Sequence, residues 1–195
     1  MPRSFSRIAI AAVLLALPAV AGAQDQDNEY ADRLKALGEA QIRAAAQNPL
    51  VIAAIEAQNK VTASYDAAKI DTLDKQWRAE VDAAAHPLID TTLGNEASQY
   101  LSEVQTKAEG LFTEIFVMDA KGLNVAQSSI TSDYWQGDED KFTESFGKGP
   151  AAVHIGEIEE DESTQTFQSQ VSLPIVDAAG VPIGAITVGV DLAIL

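Results

Sequence analysis

Two β-rich stretches, each folded back at an Asp-x-x-Gly turn, constrain this chain more than any other feature. The first covers residues 115–126 and turns at Asp119-Ala120-Lys121-Gly122. The second covers residues 171–190 and turns at Asp177-Ala178-Ala179-Gly180. The Asp can bond the turn backbone, and the Gly accepts a positive φ at no steric cost. Each stretch therefore predicts an antiparallel hairpin.

From Leu111 the hydrophobic period is two. Phe112, Glu114, Phe116 and Met118 alternate with Thr113, Ile115, Val117 and Asp119, which predicts a strand with the first set on one face. Further strands are predicted at 123–127, 153–162, 164–176 and 182–191, with a polar loop and a short helix at 138–146 after the second strand. In the fourth strand Phe167, Ser169, Val171, Leu173 and Ile175 share one face, and Gln168, Gln170 and Ser172 share the other. The first face suits packing on helices and the second suits solvent or a pocket. Gly184 and Gly189 lie inside the last strand, where glycine marks a bulge or a close backbone approach.

Residues 24–110 have helical spacing instead. Tyr30, Leu34, Leu37 and Gln41 begin a stripe. Asn48-Pro49 interrupts it as an N-cap and first helical residue. Leu50, Val51, Ala54, Ile55, Gln58, Val61 and Tyr65 continue it at three- and four-residue steps. A third helix is expected after Asp71, carrying Leu73, Trp77, Val81 and Ala84 and ending at His86-Pro87. A fourth runs from about Asn95 to a cap at Gly110. The fold class is α+β, long N-terminal helices followed by a five-stranded antiparallel sheet.

Residues 1–23 read as a cleavable signal peptide. Arg3 and Arg7 precede an apolar run at 8–17, and Ala21-Gly22-Ala23 supplies the small-residue cleavage pattern. The run is shorter than the about 20 residues a membrane-spanning helix needs. The expected location is the periplasm. With no cysteine, the chain has no disulfide and must rely on its core. A net charge of −16 disfavours nucleic acid and anionic lipid as partners.

The order of long helix, two strands, loop with short helix and three strands resembles the Cache family of PAS-like extracytoplasmic sensor domains. The resemblance rests on Phe116-Val117-Met118-Asp119-x-x-Gly122, Ser172-Leu173-Pro174-Ile175 and Gly180-Val181-Pro182-Ile183-Gly184-Ala185-Ile186. It covers residues 90–195 as a sensor domain, with 24–89 as a helical lead-in. It implies binding of a small polar metabolite such as an amino acid, an amine or an organic acid. Cache domains usually sit between two membrane helices. Here a cleavable first segment and a last strand near Leu195 imply a free-standing form that signals through a separate membrane receptor.

The resemblance also places the loop 132–142, Ser-Asp-Tyr-Trp-Gln-Gly-Asp-Glu-Asp-Lys-Phe, at a wall of the ligand pocket. Two adjacent aromatics are costly to leave in water. Tyr134 and Trp135 thus either wall a pocket, with Asp133 or Asp138 for an ammonium group, or plug the sheet edge, with Asp138 as a helix cap. Trp77 and Arg78 form a second candidate. They either add an aromatic face and a carboxylate clamp, or serve as a core residue and a surface ion pair with Asp74 or Asp82. The third candidate is the polar face of Gln168, Gln170 and Ser172, near Tyr100 or His154.

No catalytic residue, metal site or cofactor is assigned. His86 and His154 lack ligand spacing, and Asp138-Glu139-Asp140 lacks the alternation of a calcium loop. No nucleophile elbow or phosphate loop occurs. Two functions remain open: a ligand-binding sensor, or an interaction protein whose 30–65 helical stripe pairs in a homodimer.

Overall fold

Side-chain caps from Asn48, Asp66 and Asn95 set the starts of three helices in the computed structural model, which describes residues 30–161 and 166–195. Helix α1 (Ala31–Leu37) runs through a π-helical turn at Gly38–Ile42 into α2 (Arg43–Ala46). Helix α3 (Pro49–Thr62) has the expected Asn48 cap, whose side chain accepts from Leu50 N at 2.9 Å. Helix α4 (Ala67–Val81) starts earlier than expected because Asp66, not Asp71, caps it, accepting from Lys69 N at 2.8 Å. Pro87 ends no helix. It occupies the first turn of a short helix, α5 (Pro87–Leu93), that the sequence reading missed, since proline at N1 is as much a start as a stop. Asn95 caps α6 (Glu96–Lys107).

The strands are β1 (Phe112–Asp119), β2 (Asn124–Gln127), β3 (His154–Ile155), β4 (Glu159–Asp161), β5 (Thr166–Val176) and β6 (Pro182–Asp191). All pairings are antiparallel, in the order β2-β1-β6-β5-β3, with β4 also on β5. The third expected strand is thus two short pieces in line. Residues 156–158 oppose only residues 169 and 170 of β5, so one extra residue and Gly156 break the ladder. The α+β, PAS-like arrangement stands, with five strand positions and with α1, α2, α3 and α6 packed on one face. After β2 the chain forms α7 (Asp140–Thr143) and a 3-10 turn at Phe146–Lys148, where one short helix was expected.

Both hairpin turns form as the sequence predicts. Gly122 and Gly180 each have φ of +80°, and their N–H groups donate to Asp119 O and Asp177 O at 3.0 Å. Asp119 is fully buried. Its Oδ1 accepts from Lys121 N and Leu123 N, and its Oδ2 accepts from Thr62 Oγ1 at 2.8 Å and Gln58 Nε2 at 3.2 Å. The first turn is therefore stitched to α3.

The main core lies between the helices and one sheet face. Leu34, Ile42, Val51, Ile55 and Leu101 pack with Ile115, Val117, Val171, Leu173, Ile175, Ile186 and Val188. The N-terminal stripe that a helix-paired dimer would use is largely spent on the chain's own sheet. Phe112 joins this cluster, away from Glu114 and Phe116, because a register shift between Phe112 and Glu114 breaks the alternation. Phe167 also departs from its expected packed face and is exposed. On the opposite sheet face Phe116, Met118 and Ala185 are covered by Phe142 and Phe146, whose rings stack 5.0 Å apart.

The two strand glycines mark close approaches. A Cβ at Gly184 would lie 2.2 Å from the Met118 carbonyl oxygen and 3.2 Å from Ile55 Cγ2. Gly184→Ala is expected to lower stability by about 1–3 kcal/mol, read as a lower urea midpoint, because strand and helix must both move aside.

The signal-peptide reading of residues 1–23 lies outside the described residues. Among the described residues no helix is long and apolar enough to cross a membrane.

Candidate functional site

A cleft of about 180 Å³ opens between the polar sheet face and the loop that leads into α7. Its floor comes from β1 and β5, which flank β6. Glu114 and Gln170 both pair in register with Gly189 of β6. A Cβ at Gly189 would lie 2.2 Å from Thr113 Oγ1 and 2.9 Å from Glu114 Cγ. Its absence lets the flanking side chains meet over the central strand, where Gln170 Nε2 donates to Glu114 Oε1 at 2.8 Å and Thr113 Oγ1 donates to Gln168 Oε1 at 2.7 Å. Phe116 adds an aromatic patch.

The opposite wall is the segment 130–136, with Lys141 from α7. Lys141 Nζ lies 3.0 Å from Glu139 Oε2 and 5.6 Å from the Phe116 ring centroid. Gln136 is buried. Its Nε2 donates to Asp133 Oδ1, while its Oε1 has no hydrogen-bond partner. Two further buried atoms of β2, Asn124 Oδ1 and Gln127 Nε2, are likewise unpartnered. Their residues meet the same loop: Asn124 Nδ2 donates to Thr131 Oγ1 at 2.9 Å and to Asp133 O at 3.1 Å.

Five of the six residues named from sequence meet in or behind this wall. Trp77 is fully buried, stacks on Tyr134 with centroids 5.3 Å apart, and donates from Nε1 to Thr131 O at 2.8 Å. Arg78 bridges two carboxylates, Asp74 Oδ2 at 2.8 Å through Nε and Asp133 Oδ2 at 3.1 Å through Nη2. Asp133 lines the cleft, whereas Tyr134 and Trp135 turn toward α4 and the first hairpin. Trp135 Nε1 donates to Lys121 O at 2.8 Å, and Leu123 bridges Trp135 as a fragment of extra strand. Asp138 stands apart, exposed in the turn before α7, where Glu139 takes the N-cap position.

Asp74 organises the back of the wall. Its Oδ1 accepts from Tyr134 N at 2.9 Å and Trp135 N at 3.1 Å. Burial opposes its ionisation, but the hydrogen bonds from Arg78 and the two backbone N–H groups outweigh it and hold the carboxyl below its ordinary value. Burial pushes the Tyr134 phenol well above its ordinary value. His154, half-buried on β3 opposite Ser172, is lowered by burial against the pull of Asp140 and Glu144. Ser172 itself is buried and shares a 2.9 Å hydrogen bond with Thr187. Among the described residues, no group of three or more His, Asp and Glu side chains is placed to hold a metal ion.

Glu114 was not singled out from sequence. Gln136 and Lys141 were present only as members of the loop cluster, and Gln170 only as part of a polar face. The signal that joins Glu114 to Gln170 is Gly189, since a glycine in a central strand leaves room for the side chains on either side to converge.

No protein-family model and no curated protein matches the chain. Solved structures do. The sensor domain of the Vibrio cholerae histidine kinase DctB is 16% identical, with 85% of this chain and 58% of that chain covered at a TM-score of 0.40. The sensory domain of the Campylobacter jejuni chemoreceptor Tlp3, solved with isoleucine bound, is 12% identical, with coverages of 83% and 60% and a TM-score of 0.38. The ligand-binding domain of the Pseudomonas aeruginosa amino-acid chemoreceptor PctC, solved with GABA, is 14% identical, with coverages of 83% and 62% and a TM-score of 0.40. The chain thus spans less than two thirds of each of these solved chains.

Proposed function

We propose that this protein is a periplasmic sensor module that binds a small polar metabolite in the cleft between β1, β5 and the 130–141 segment, and reports occupancy to a separate membrane partner without transforming its ligand. The observation that carries the reading is the cleft itself, a polar space between the sheet and the 130–136 segment, lined by Glu114, Ser132, Asp133, Lys141 and Gln170. At about 180 Å³ the space is smaller than the about 300–1,000 Å³ of drug-sized sites, which favours an amino acid, an amine or a small organic acid. In this reading Asp133 contacts the ligand directly. Trp77, Arg78, Tyr134 and Trp135 hold the wall that carries it.

A thermal-shift screen of amino acids, amines and organic acids tests this. A ligand at 100 times its Kd adds about 2.7 kcal/mol to the folded state and raises the Tm. The shift should vanish in Ser132→Trp, which fills the cleft from an exposed wall position. If no compound in the panel raises the Tm, or if the shift survives Ser132→Trp, the cleft is not the binding site.

A further inference from the structure

Helix α4 stands apart from the main core. Among the described residues, none of its side chains enters the cluster between the helices and the sheet. Ile70, Leu73 and Trp77 pack instead in the small cluster with Ile89, Leu123 and Tyr134. The polar side chains of the same helix go to the cleft wall. Asp74 accepts from Tyr134 N and Trp135 N, Trp77 donates to Thr131 O, and Arg78 reaches Asp133. One helix thus holds four of the five residues from Thr131 to Trp135. The wall in turn meets the sheet along one short seam. There Asn124 N donates to Tyr134 O at 2.9 Å, Gln136 N to Gly122 O at 2.8 Å, and Trp135 Nε1 to Lys121 O at 2.8 Å, while Asn124 Nδ2 reaches Thr131 Oγ1 and Asp133 O. Beside this seam lie three buried side-chain atoms without a partner, Asn124 Oδ1, Gln127 Nε2 and Gln136 Oε1. Parting the seam gives all three access to water, which offsets part of the cost of opening.

We propose that α4 and residues 131–136 form one cooperative unit, which opens away from the sheet while β1, β5 and β6 stay paired. A satellite cluster with few apolar contacts opens at a lower free energy than the main core. A helix of 15 residues is marginal in water by itself, so α4 released from the wall unwinds, and the wall that loses α4 loses its fasteners. Resting on the binding reading above, α4 is then the element that reports the cleft. A ligand held between the wall and the β1–β5 floor binds only the closed unit and shifts the population toward it. Occupancy thereby orders a helix whose far side, with Ala68, Thr72, Lys75 and Ala79, is exposed.

The test is native-state hydrogen exchange of the ligand-free protein, followed by NMR in urea well below the unfolding midpoint. The interior amides of α4 and those of Asn124, Tyr134, Trp135 and Gln136 should share one opening free energy. Their protection should be about tenfold or more below that of Val117 and Ile186, which pair between β1 and β6. Near the midpoint both sets follow global unfolding, so the urea melt remains one transition. Two exposed alanines separate joint opening from independent opening. Ala79→Gly weakens α4 on its far side, and should lower the protection of the three wall amides at 134–136 by about three- to fivefold, the same factor as in α4 itself. Ala57→Gly makes the equivalent change on exposed α3, which stays folded in the open form, and should leave the wall and α4 amides unchanged. Wall protection that ignores Ala79→Gly, or that falls equally with Ala57→Gly, overturns the inference, as does protection of α4 equal to that of Val117 and Ile186. The experiment contains no ligand, so these outcomes leave the thermal-shift result standing. A flat thermal-shift screen beside joint opening removes the ligand and keeps the unit.

Discussion

Trp77→Ala is expected to destabilise the protein by about 3–5 kcal/mol. The side chain is fully buried and forms, with Ile89, Leu123 and Tyr134, a small apolar cluster separate from the main core. Removing the indole leaves a cavity that this cluster is too small to close. It also removes the stack on Tyr134 and the Nε1 donor to Thr131 O, leaving a buried carbonyl short of its partner. Trp77→Phe keeps a ring against Tyr134 but loses the donor and part of the indole volume, and should cost less, about 1–3 kcal/mol. Urea unfolding reads both. A midpoint unchanged in Trp77→Ala would mean that α4 does not fasten the cleft wall.

The sequence carries this protein's strands better than its site, for physical reasons. The two Asp-x-x-Gly turns depend on side-chain bonds and backbone conformation within four residues, so they are readable locally, and both form. The last strand, Pro182–Asp191, is bounded by the second turn and has the expected limits. The face of Phe112 was not readable, because the bulge that turns it depends on pairing with β6, about 75 residues away. The same holds for the site. Glu114 and Gln170 become neighbours only across β6, and nothing within either strand announces the other. The Trp77–Tyr134 pair shows the intermediate case. Composition marks both residues as needing burial, but only the packing of α4 on the loop turns two isolated aromatics into one stack. Alternation along β5 separates a greasy face from a polar one, yet it cannot say that the polar face is roofed: Ser172 and Thr187, polar and fully buried, are covered by the α7 segment rather than by water.

Asp74→Ala should cost about 2–4 kcal/mol at neutral pH, because it takes the acceptor from Tyr134 N and Trp135 N together and half of the pairing from Arg78. Asp74→Asn keeps a neutral oxygen for the two N–H groups and should cost about 1–2 kcal/mol. The pH dependence distinguishes this account from simple loss of packing. In the folded protein the Asp74 carboxyl is held below its ordinary value of 3.8, so the folded state binds this proton less readily than the unfolded chain. Its contribution to stability is therefore present in full above 3.8, declines as the pH falls below that value, and is gone once the pH passes the folded-state value. The stability gap between the wild type and Asp74→Asn should accordingly be flat from pH 7 down to about 5 and shrink below about 4. Other carboxylates titrate in the same span, Glu80 among them, but they are common to both proteins and cancel in the difference. Urea midpoints taken at half-unit steps between pH 3 and pH 7 read the gap directly. A gap that stayed constant through pH 3 would mean that Asp74 acts as an uncharged spacer, and the ionic clamp between α4 and the cleft wall would have to be abandoned.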